Sequence, residues 1–508
     1  MDLLLGLDVG TTATKALLCD LQGRVVAEAS AGYPSGLQYP HPGWVEQDPA
    51  ELWQAVTQAV RAVVAQAPAG GQVAALSLSS QGGTTIPVDV DGRPLRPAIS
   101  WLDTRASAAG EGAALGRRLG EERVYRSTGW WLPAGLPLHH LDWLRRHEPQ
   151  TFAAAHRFLF VNDYVLLRLT GEAVMDPSDA AMTMLYNLEA GDWDPGLLAA
   201  AGGERSQFSP VHPSGAPVGR LLPAVAAEMG LSPSVLVVNG AHDQYCAALG
   251  SGVINPGDAV LSCGTAWVMF LCADRLLLDP HQAFHPAPHV VAGRWGAISS
   301  LPAAGAAMEW YTQKVLLGPG QEEGERYAWL NAGAARAQAG SRGLLFIPLL
   351  SGAYAAMHGE HAAGAWVGLT LAHSKDDLSR SVMEGVALEV RRLAELSAGL
   401  GVPFSSLKMV GGAAKSPLWP QVVADVLGIP VRLPRATEAA GRGAAILAGL
   451  GAGLYRSAEQ AVAEFGGEEA ALEPNVTHAA LYGALYSAYL QALSGLQDSL
   501  RTLAHWRS

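Results

Sequence analysis

The feature that most constrains the fold of this 508-residue chain is a strand, a Gly-Thr turn and a second strand, which occur in this order twice. The first copy comprises Leu4–Asp8, Gly10-Thr11 and Ala16–Cys19, and the second comprises Asp258–Cys263, Gly264-Thr265 and Ala266–Cys272. The echo is short, but it indicates an internal duplication. The chain is also too long for one ordinary core, because cores rarely grow beyond about 250–300 residues. The sequence therefore predicts two similar α/β halves.

Local signals place the elements of the first half. Strands predicted over 3–8, 16–20 and 23–29 form an antiparallel meander, and a strand over 73–79 follows after a helix. This helix begins at Asp48-Pro49, which supply an N-cap acid and a proline at the first helical position. A proline-bounded run near 222–234 predicts a linker, so the strand over 235–239 is expected to open the second half.

The second half is expected to be rich in helices. Helices are predicted over about 303–316, 376–398, 416–427 and 438–450. The predicted domains are therefore 1–236 and 237–470, followed by a C-terminal helical segment over 471–508.

Composition excludes several classes of partner. The net charge is −12 and Lys and Arg do not cluster, so a nucleic-acid-binding surface is not expected. The N-terminus has an acid at position 2 and only a short apolar run, unlike a signal peptide. No stretch reaches the roughly 20 apolar residues that span a bilayer. We therefore expect a cytoplasmic protein with no membrane partner.

The N-terminal hairpin carries the first candidate chemistry, in Gly6–Lys15. Gly10 allows a tight turn in which backbone N–H groups approach phosphate oxygens closely. Asp8 ends a buried strand and is suited to Mg²⁺, which prefers a carboxylate together with retained waters. An ordinary hairpin with a polar turn accounts equally well for this motif taken alone.

A second motif, Gly240-Ala241-His242-Asp243-Gln244, directly follows a predicted strand. A carboxylate at a strand end suits a general base that accepts a hydroxyl proton, although Asp243 could instead cap the next helix. About twenty residues later, Gly264-Thr265 offers a second turn that could face phosphates. A third motif, the Gly-rich turn at Gly411-Gly412, could hold an adenosine moiety by close backbone approach. It matches neither a Walker A loop nor a Rossmann fingerprint.

These motifs and several others occur in one order along nearly the whole chain. They are Gly6-x-Asp8-x-Gly10-Thr11-Thr12-x-x-Lys15, Gly43-Trp44-Val45-Glu46-Gln47-Asp48-Pro49, Ser80-Gln81-Gly82-Gly83, Trp101-x-Asp103-x-Arg105, Gly240-x-His242-Asp243-Gln244, Gly264-Thr265 and Gly411-Gly412-Ala413-x-Lys415-Ser416-Pro417. Each is weak by itself, but the set in register resembles the FGGY carbohydrate kinases, which include xylulokinases, ribulokinases and glycerol kinases.

The resemblance implies an actin-like ATPase fold, with two ribonuclease-H-like domains and an active site in the cleft between them. The N-terminal domain would then form the sugar side and the C-terminal domain the nucleotide side. ATP and Mg²⁺ are the implied cofactors, with Asp243 as general base and Asp8 and Asp243 as candidate metal ligands. The implied phosphate and nucleotide residues are Thr11, Thr12, Lys15, Gly264, Thr265, Gly305, Gly411, Gly412, Ala413 and Ser416. The implied substrate residues are Gln81, Gly82, Trp101, Asp103, Asp243 and Gln244.

The chain departs from the family pattern at two places that bear on the substrate. At Gly82-Gly83, glycerol kinases carry an Arg-Glu pair and the best-known xylulokinases a Met-His pair. The loss of both side chains disfavours glycerol and is expected to leave space for a bulkier substrate. The segment 351–359 also departs from the family pattern.

A ketopentose such as xylulose or ribulose is the leading candidate substrate. The family resemblance also leads us to expect a homodimer. The alternatives are a polyol such as erythritol, ribitol or glycerol, autoinducer-2, or a non-catalytic actin-like sensor of sugar or nucleotide. The presence of both Asp8 and Asp243 argues against the sensor, since an idle protein needs no base beside a metal-binding carboxylate.

Overall fold

The structure is a computed structural model that describes residues 1–106, 111–131, 135–316, 325–352, 358, 361–434, 438–467 and 469–506. Most of the 351–359 departure therefore lies outside the described residues. Among the described helices, none is both long enough and apolar enough to cross a membrane.

Strands and helices alternate along the chain. The strands are β1 (Asp2–Val9), β2 (Ala13–Asp20), β3 (Val25–Gly32), β4 (Glu46–Gln47), β5 (Gln72–Ser80), β6 (Ile86–Val88), β7 (Ala98–Ile99), β8 (Arg157–Leu159), β9 (Tyr186–Asn187), β10 (Asp192–Trp193), β11 (Pro217–Arg220), β12 (Leu236–Val238), β13 (Ala241–His242), β14 (Ala259–Cys263), β15 (Trp267–Ala273), β16 (His285–Pro288), β17 (Trp295–Leu301), β18 (Leu345–Ile347), β19 (Ala365–Val367), β20 (Leu407–Gly411), β21 (Val431–Pro434) and β22 (Glu469–Leu472). The helices are α1 (Pro49–Val64), α2 (Glu111–Leu119), α3 (Glu121–Thr128), α4 (Pro137–His147), α5 (Pro149–Ala154), α6 (Val161–Thr170), α7 (Pro177–Ala181), α8 (Pro195–Ala201), α9 (Pro223–Met229), α10 (Asp243–Gly250), α11 (Ala304–Tyr311), α12 (Arg326–Arg336), α13 (Lys375–Gly399), α14 (Trp419–Leu427), α15 (Ala439–Gly451), α16 (Ala458–Phe465), α17 (Ala479–Gly495) and α18 (Gln497–Ala504).

The two main sheets have the same plan. The first runs β3-β2-β1-β5-β12-β11 and the second runs β17-β15-β14-β20-β21-β22, with β16 added beside β17. In each, two antiparallel pairings are followed by two parallel pairings and a final antiparallel one. The predicted duplication is therefore confirmed at the level of strand order and direction.

The meander of β1, β2 and β3 and the start of α1 agree with the sequence prediction. Asp48 caps α1, with its carboxylate accepting a hydrogen bond from the Ala50 backbone N–H at 2.8 Å. The strand near 235–239 was expected to open the second half, and this was wrong, since β12 pairs in parallel with β5 in the first sheet. Strand pairing joins residues far apart in sequence, so the local pattern does not reveal which sheet a strand enters.

Helix α15 connects the second half to the first sheet by close backbone contact. A Cβ built on Gly6 of β1 would lie 2.0 Å from the Gly441 carbonyl oxygen of α15. A Cβ on Gly443 would lie 1.9 Å from the Cys246 carbonyl oxygen of α10. Glycine is required where backbones approach this closely, and the result brings β1, α10 and α15 together beside the site described next.

Candidate active site

Two carboxylates lie on either side of the carboxyl end of β5. Strand β1 pairs with β5 so that Asp8 is opposite Ser79, and β13 pairs with the other side of β5 so that Ala241 is opposite the same residue. Asp243 begins α10 immediately after β13. Neighbouring strands lie about 4.8 Å apart, so this register alone brings Asp8 and Asp243 into one site.

The environment of Asp8 makes its carboxyl group harder to ionise than that of an exposed aspartate. Burial and, next, the negative charge of Asp243 raise the pKa of Asp8 to about 6. A hydrogen bond from Ser79 Oγ to Asp8 Oδ1, at 3.0 Å, acts in the opposite direction by stabilising the charged carboxylate. The pair therefore constitutes a concentration of negative charge that a cation would relieve.

A chain of hydrogen bonds links the predicted sugar-side residues to the first Gly-Thr turn. Gln81 Nε2 donates to Gln47 Oε1 at 3.0 Å, and Gln47 Nε2 donates to the Thr11 carbonyl at 2.7 Å. Trp101 Nε1 donates to Thr11 Oγ1 at 3.1 Å. The adjacent Thr12 is exposed to solvent. Gln47 was not among the predicted site residues, although it lies within one of the recognised motifs.

Gly82 does not leave the space that the sequence suggested. A Cβ at this position would lie 2.7 Å from His242 Cδ2 and 2.8 Å from Met182 Cγ. A Cβ at Gly83 would lie 2.9 Å from Leu136 Cδ2, and the backbone there has a φ of +74°. The expectation of room for a bulkier substrate at these two glycines was wrong, because side chains distant in sequence fill it.

Asp103 and Lys15 each have a charged partner within the protein. The Asp103 carboxylate accepts a hydrogen bond from the Val45 N–H at 2.6 Å and pairs with Arg105 at 2.8 Å. Its side chain is 0% exposed, so it is not open to a substrate and instead stabilises the surrounding loop. Lys15 Nζ lies 2.8 Å from Glu438 Oε2, an ion pair that joins β2 to the residue preceding α15.

A cavity of about 390 Å³ lies in the C-terminal half, a size typical of small-molecule sites. Among the predicted nucleotide residues, those that line it are Gly264, Thr265, Gly305, Gly412, Ala413 and Ser416. Side chains that the sequence did not single out complete it, including Met308, Glu309, Tyr327, Asn331 and Met383. Ser416 Oγ donates to Asn331 Oδ1 at 2.6 Å, which connects the Gly-rich turn to α12. No motif surrounds Asn331, so a role in this cavity could not be predicted for it from the sequence.

Gly264, Gly305 and Gly412 form the floor of this cavity, and Gly411 precedes Gly412 without lining it. A Cβ on Gly305 would lie 2.1 Å from the Gly264 carbonyl oxygen, so α11 contacts the second Gly-Thr turn directly. Gly411 has a φ of +95° and a Cβ there would lie 2.7 Å from the Cys263 carbonyl oxygen. Both positions require glycine, the first for close approach and the second also for its left-handed backbone.

Known proteins resemble the chain over its full extent. The models of the N-terminal and C-terminal domains of the FGGY family of carbohydrate kinases match residues 3–250 and 259–452. The xylulose kinase of Escherichia coli strain K12 is 33% identical over 84% of each chain. The autoinducer-2 kinase of Yersinia enterocolitica is 32% identical over 100% of this chain and 98% of its own. The crystal structure of gluconate kinase from Lactobacillus acidophilus superposes with a TM-score of 0.91, 26% identity and 99% coverage of both chains.

The duplicated sheets, the carboxylate pair and the glycine-floored cavity define a phosphotransferase with the two-domain actin-like fold. The chain belongs to the FGGY family of carbohydrate kinases. The fold and the enzyme class implied by the sequence motifs are thereby confirmed.

Proposed function

We propose that this carbohydrate kinase transfers the γ-phosphoryl group of ATP to a hydroxyl of a neutral ketopentose such as xylulose or ribulose. The observation that carries the proposal is the placement of Asp8 and Asp243 on opposite sides of the carboxyl end of β5. The cavity lined by Gly264, Gly305 and Gly412 is assigned to the nucleotide.

Unpaired acceptors support a substrate rich in hydroxyl groups. Gln81 Oε1 and Gln244 Oε1 are buried and have no hydrogen-bond partner in the part of the chain that the structure describes. Leaving a buried acceptor unpaired costs about 1–3 kcal/mol, and sugar hydroxyls are donors that would satisfy both. Lys15 and Arg105 are already paired with acids, which disfavours an anionic sugar acid.

In the proposed mechanism Asp243 is the general base. Its carboxylate accepts the proton of the substrate hydroxyl while that oxygen attacks the γ-phosphorus, and the bond from phosphorus to the β-phosphate oxygen breaks to release ADP. The turns at Thr11 and Thr265 offer backbone N–H groups and hydroxyls to the phosphates. Positioning of the acceptor in line with the leaving oxygen is the main contribution of the protein, since phosphoryl transfer involves little covalent chemistry on the enzyme.

The carboxylate pair fits Mg²⁺. Burial and the charge of Asp243 raise the pKa of Asp8, and a divalent cation would supply the positive charge that would favour its ionised form. Asp8, and Asp243 beside it, are the residues that would hold the ion, and the described residues contain no group of three or more His, Cys, Asp or Glu side chains arranged for a metal. This agrees with an ion that retains waters and takes phosphate oxygens. When bound, Mg²⁺ neutralises charge on the transferred phosphoryl group.

Autoinducer-2 is a second candidate acceptor. The autoinducer-2 kinase of Yersinia enterocolitica matches all of this chain, whereas the xylulose kinase of Escherichia coli matches 84% of it at nearly the same identity. The two candidates share the fold and the proposed base, so they differ only in the acceptor pocket.

The test is a turnover assay of the purified chain with Mg·ATP, following ADP release. The acceptor panel is D-xylulose, D- and L-ribulose, L-xylulose, glycerol, erythritol, ribitol, gluconate and the autoinducer-2 precursor. We expect one ketopentose to be turned over well above the others. Turnover on autoinducer-2 or a polyol alone would contradict the ketopentose assignment and retain the chemistry. ATP binding without turnover on any acceptor would support the non-catalytic sensor instead.

A further inference from the structure

The imidazole of His242 lies close to both Gly82 and the proposed base. His242 Nε2 is 3.3 Å from Asp243 Oδ1, within reach of a hydrogen bond after a small rotation of the ring. The neighbouring ring atom, Cδ2, faces Gly82, because a Cβ added to Gly82 would lie 2.7 Å from it. The residue is 5% exposed, so the ring has little freedom to move away.

The backbone of His242 lies against two serines, and each of these serines donates a hydrogen bond to a buried carboxylate. Its N–H donates to Ser178 Oγ at 3.0 Å, and Ser178 Oγ donates to Asp176 Oδ2 at 2.6 Å. In the register of β13 and β5, His242 is opposite Ser80, whose Oγ donates to Asp179 Oδ2 at 2.8 Å. The backbone that carries the ring is therefore held in place by buried hydrogen bonds, where β13 of the first sheet leads into α10.

Asp243 needs such support because its own side chain is only partly enclosed. The side chain is 32% exposed, and its Oδ1 has no hydrogen-bond partner among the residues that the structure describes. A general base must hold one oxygen within about 2.6–3.2 Å of the hydroxyl that it deprotonates. A carboxylate that rotates freely satisfies that condition only part of the time.

We propose that His242 is a positioning residue for Asp243, an inference that rests on the proposed function of Asp243 as the base. In the tautomer protonated at Nε2, the ring donates to Oδ1 and directs Oδ2 toward the substrate hydroxyl. Gly82 is the second part of this device, because any side chain there would press against the ring as well as against Met182. The pairing of a glycine at 82 with a histidine at 242 thus orients the base.

Three substitutions separate hydrogen bonding from space filling. His242→Gln places an amide N–H near the position of Nε2, His242→Asn places one near Nδ1, and His242→Leu fills similar volume without a donor. With the most active acceptor of the panel, we expect Leu and Asn to lower kcat about tenfold or more with little change in KM. We expect Gln to recover most of the loss, and His281→Gln, at an exposed position, to have no effect.

Packing variants and a double-mutant cycle complete the test. Gly82→Ala is expected to lower kcat as His242→Leu does, and the two changes combined should lower it no further than either alone. In the Asp243→Asn background, His242→Leu should have no further effect, because no base remains to be oriented. Equal losses for Leu and Gln, or additive losses with Asp243→Asn, would overturn the inference. Full turnover by Asp243→Asn alone would instead overturn the proposed function, so the two failures are distinguishable.

Discussion

Asp8 and Asp243 lie on either side of the carboxyl end of β5, but their surroundings suit them to different tasks. Asp8 is on a central strand, accepts a hydrogen bond from Ser79 and has its pKa raised to about 6 by burial and by the charge of Asp243. Asp243 is at the first position of α10, and its side chain is 32% exposed, so a bound acceptor can reach its carboxylate. We therefore assign cation binding chiefly to Asp8 and proton abstraction to Asp243.

Removal of the base is the most direct test at the level of a residue. Asp243→Asn keeps the size of the side chain but cannot accept the hydroxyl proton, so kcat is expected to fall by about 10²- to 10⁴-fold. ATP binding, measured by calorimetry, should be unchanged because the nucleotide cavity does not include this residue. Asp274→Asn, on a side chain that is 66% exposed, is the matched control and should behave as the native protein.

Substitution of the other carboxylate should change the dependence on the cation. Asp8→Asn removes the charge that would hold Mg²⁺, so we expect the Mg²⁺ concentration for half-maximal turnover to rise by about tenfold or more. The measurement is a titration of turnover against free Mg²⁺ at saturating ATP and acceptor. An unchanged Mg²⁺ dependence together with reduced kcat would assign Asp8 a role in catalysis other than metal binding.

At the level of elements, local sequence signals correctly predicted those features, such as helix starts, that depend only on neighbouring residues. The start of α1 followed from Asp48 and the proline after it, since capping involves only neighbouring residues. The helix predicted over 303–316 is helical nearly throughout, but α11 is followed by a π-helical turn over Thr312–Leu316. The pattern of apolar side chains does not distinguish a π-helical turn from an α-helical one. The filling of the space at Gly82 by His242 and Met182 could not be predicted either, because it depends on contacts across the fold.

The contact between α11 and the second Gly-Thr turn gives a prediction for an element. Gly305→Ala would place a methyl group 2.1 Å from the Gly264 carbonyl oxygen, so α11 must move away from the turn. We expect the Kd for ATP to rise at least about tenfold and the Tm to fall, since overpacking costs roughly 1–3 kcal/mol. Calorimetry and thermal melting measure the two effects.

The matched control is Gly483→Ala in α17. A Cβ at this position would meet no atom within 4 Å, and alanine favours the helix interior. We expect the Tm to rise slightly, in line with a gain of about 0.5–1 kcal/mol, and ATP affinity to be unchanged. Unaltered ATP affinity in Gly305→Ala would show that α11 does not shape the nucleotide cavity.

At the level of the whole molecule, the duplicated plan accounts for where the sites lie. In each main sheet a Gly-Thr turn connects the two strands of one hairpin, β1 to β2 and β14 to β15. Helix α15, which belongs to the second half, packs against β1 of the first half. The carboxylate pair belongs to the first sheet, and the glycine-floored cavity belongs to the second. The repeated strand, Gly-Thr turn and strand motif was sufficient to predict this arrangement, because it marks the same strand in each half. The walls of the cavity formed by α11 and α12 are not part of the repeated motif, so the motif did not predict them.

Buried histidines make the stability of the whole molecule depend on pH. Burial lowers the pKa of His139, His285 and His289 to about 4 and that of His140 to about 3. Between these values and the ordinary pKa near 6.5, the unfolded chain binds protons that the folded chain does not, so stability falls as pH falls. Burial raises the pKa of Asp163 to about 7 and that of Asp8 to about 6, and these groups have the opposite effect. The total pH dependence is therefore a balance, and a single substitution is needed to isolate the histidine contribution.

His139 is the best position for that substitution, because neither ring nitrogen has a hydrogen-bond partner among the described residues and the residue is buried. His139→Leu should raise the free energy of unfolding by about 1 kcal/mol at pH 7.5, since it removes a buried unpaired polar group. At pH 5 the advantage over the native chain should increase by about 2 kcal/mol, because each unit below 6.5 costs the native chain about 1.4 kcal/mol. Urea unfolding at the two pH values measures both differences.

The control is Leu141→Ala, which lies in the same helix and involves no titratable group. It should destabilise the chain equally at both pH values. An equal effect of His139→Leu at the two pH values would mean that the folded protein protonates His139 as readily as the unfolded chain does, which its burial argues against.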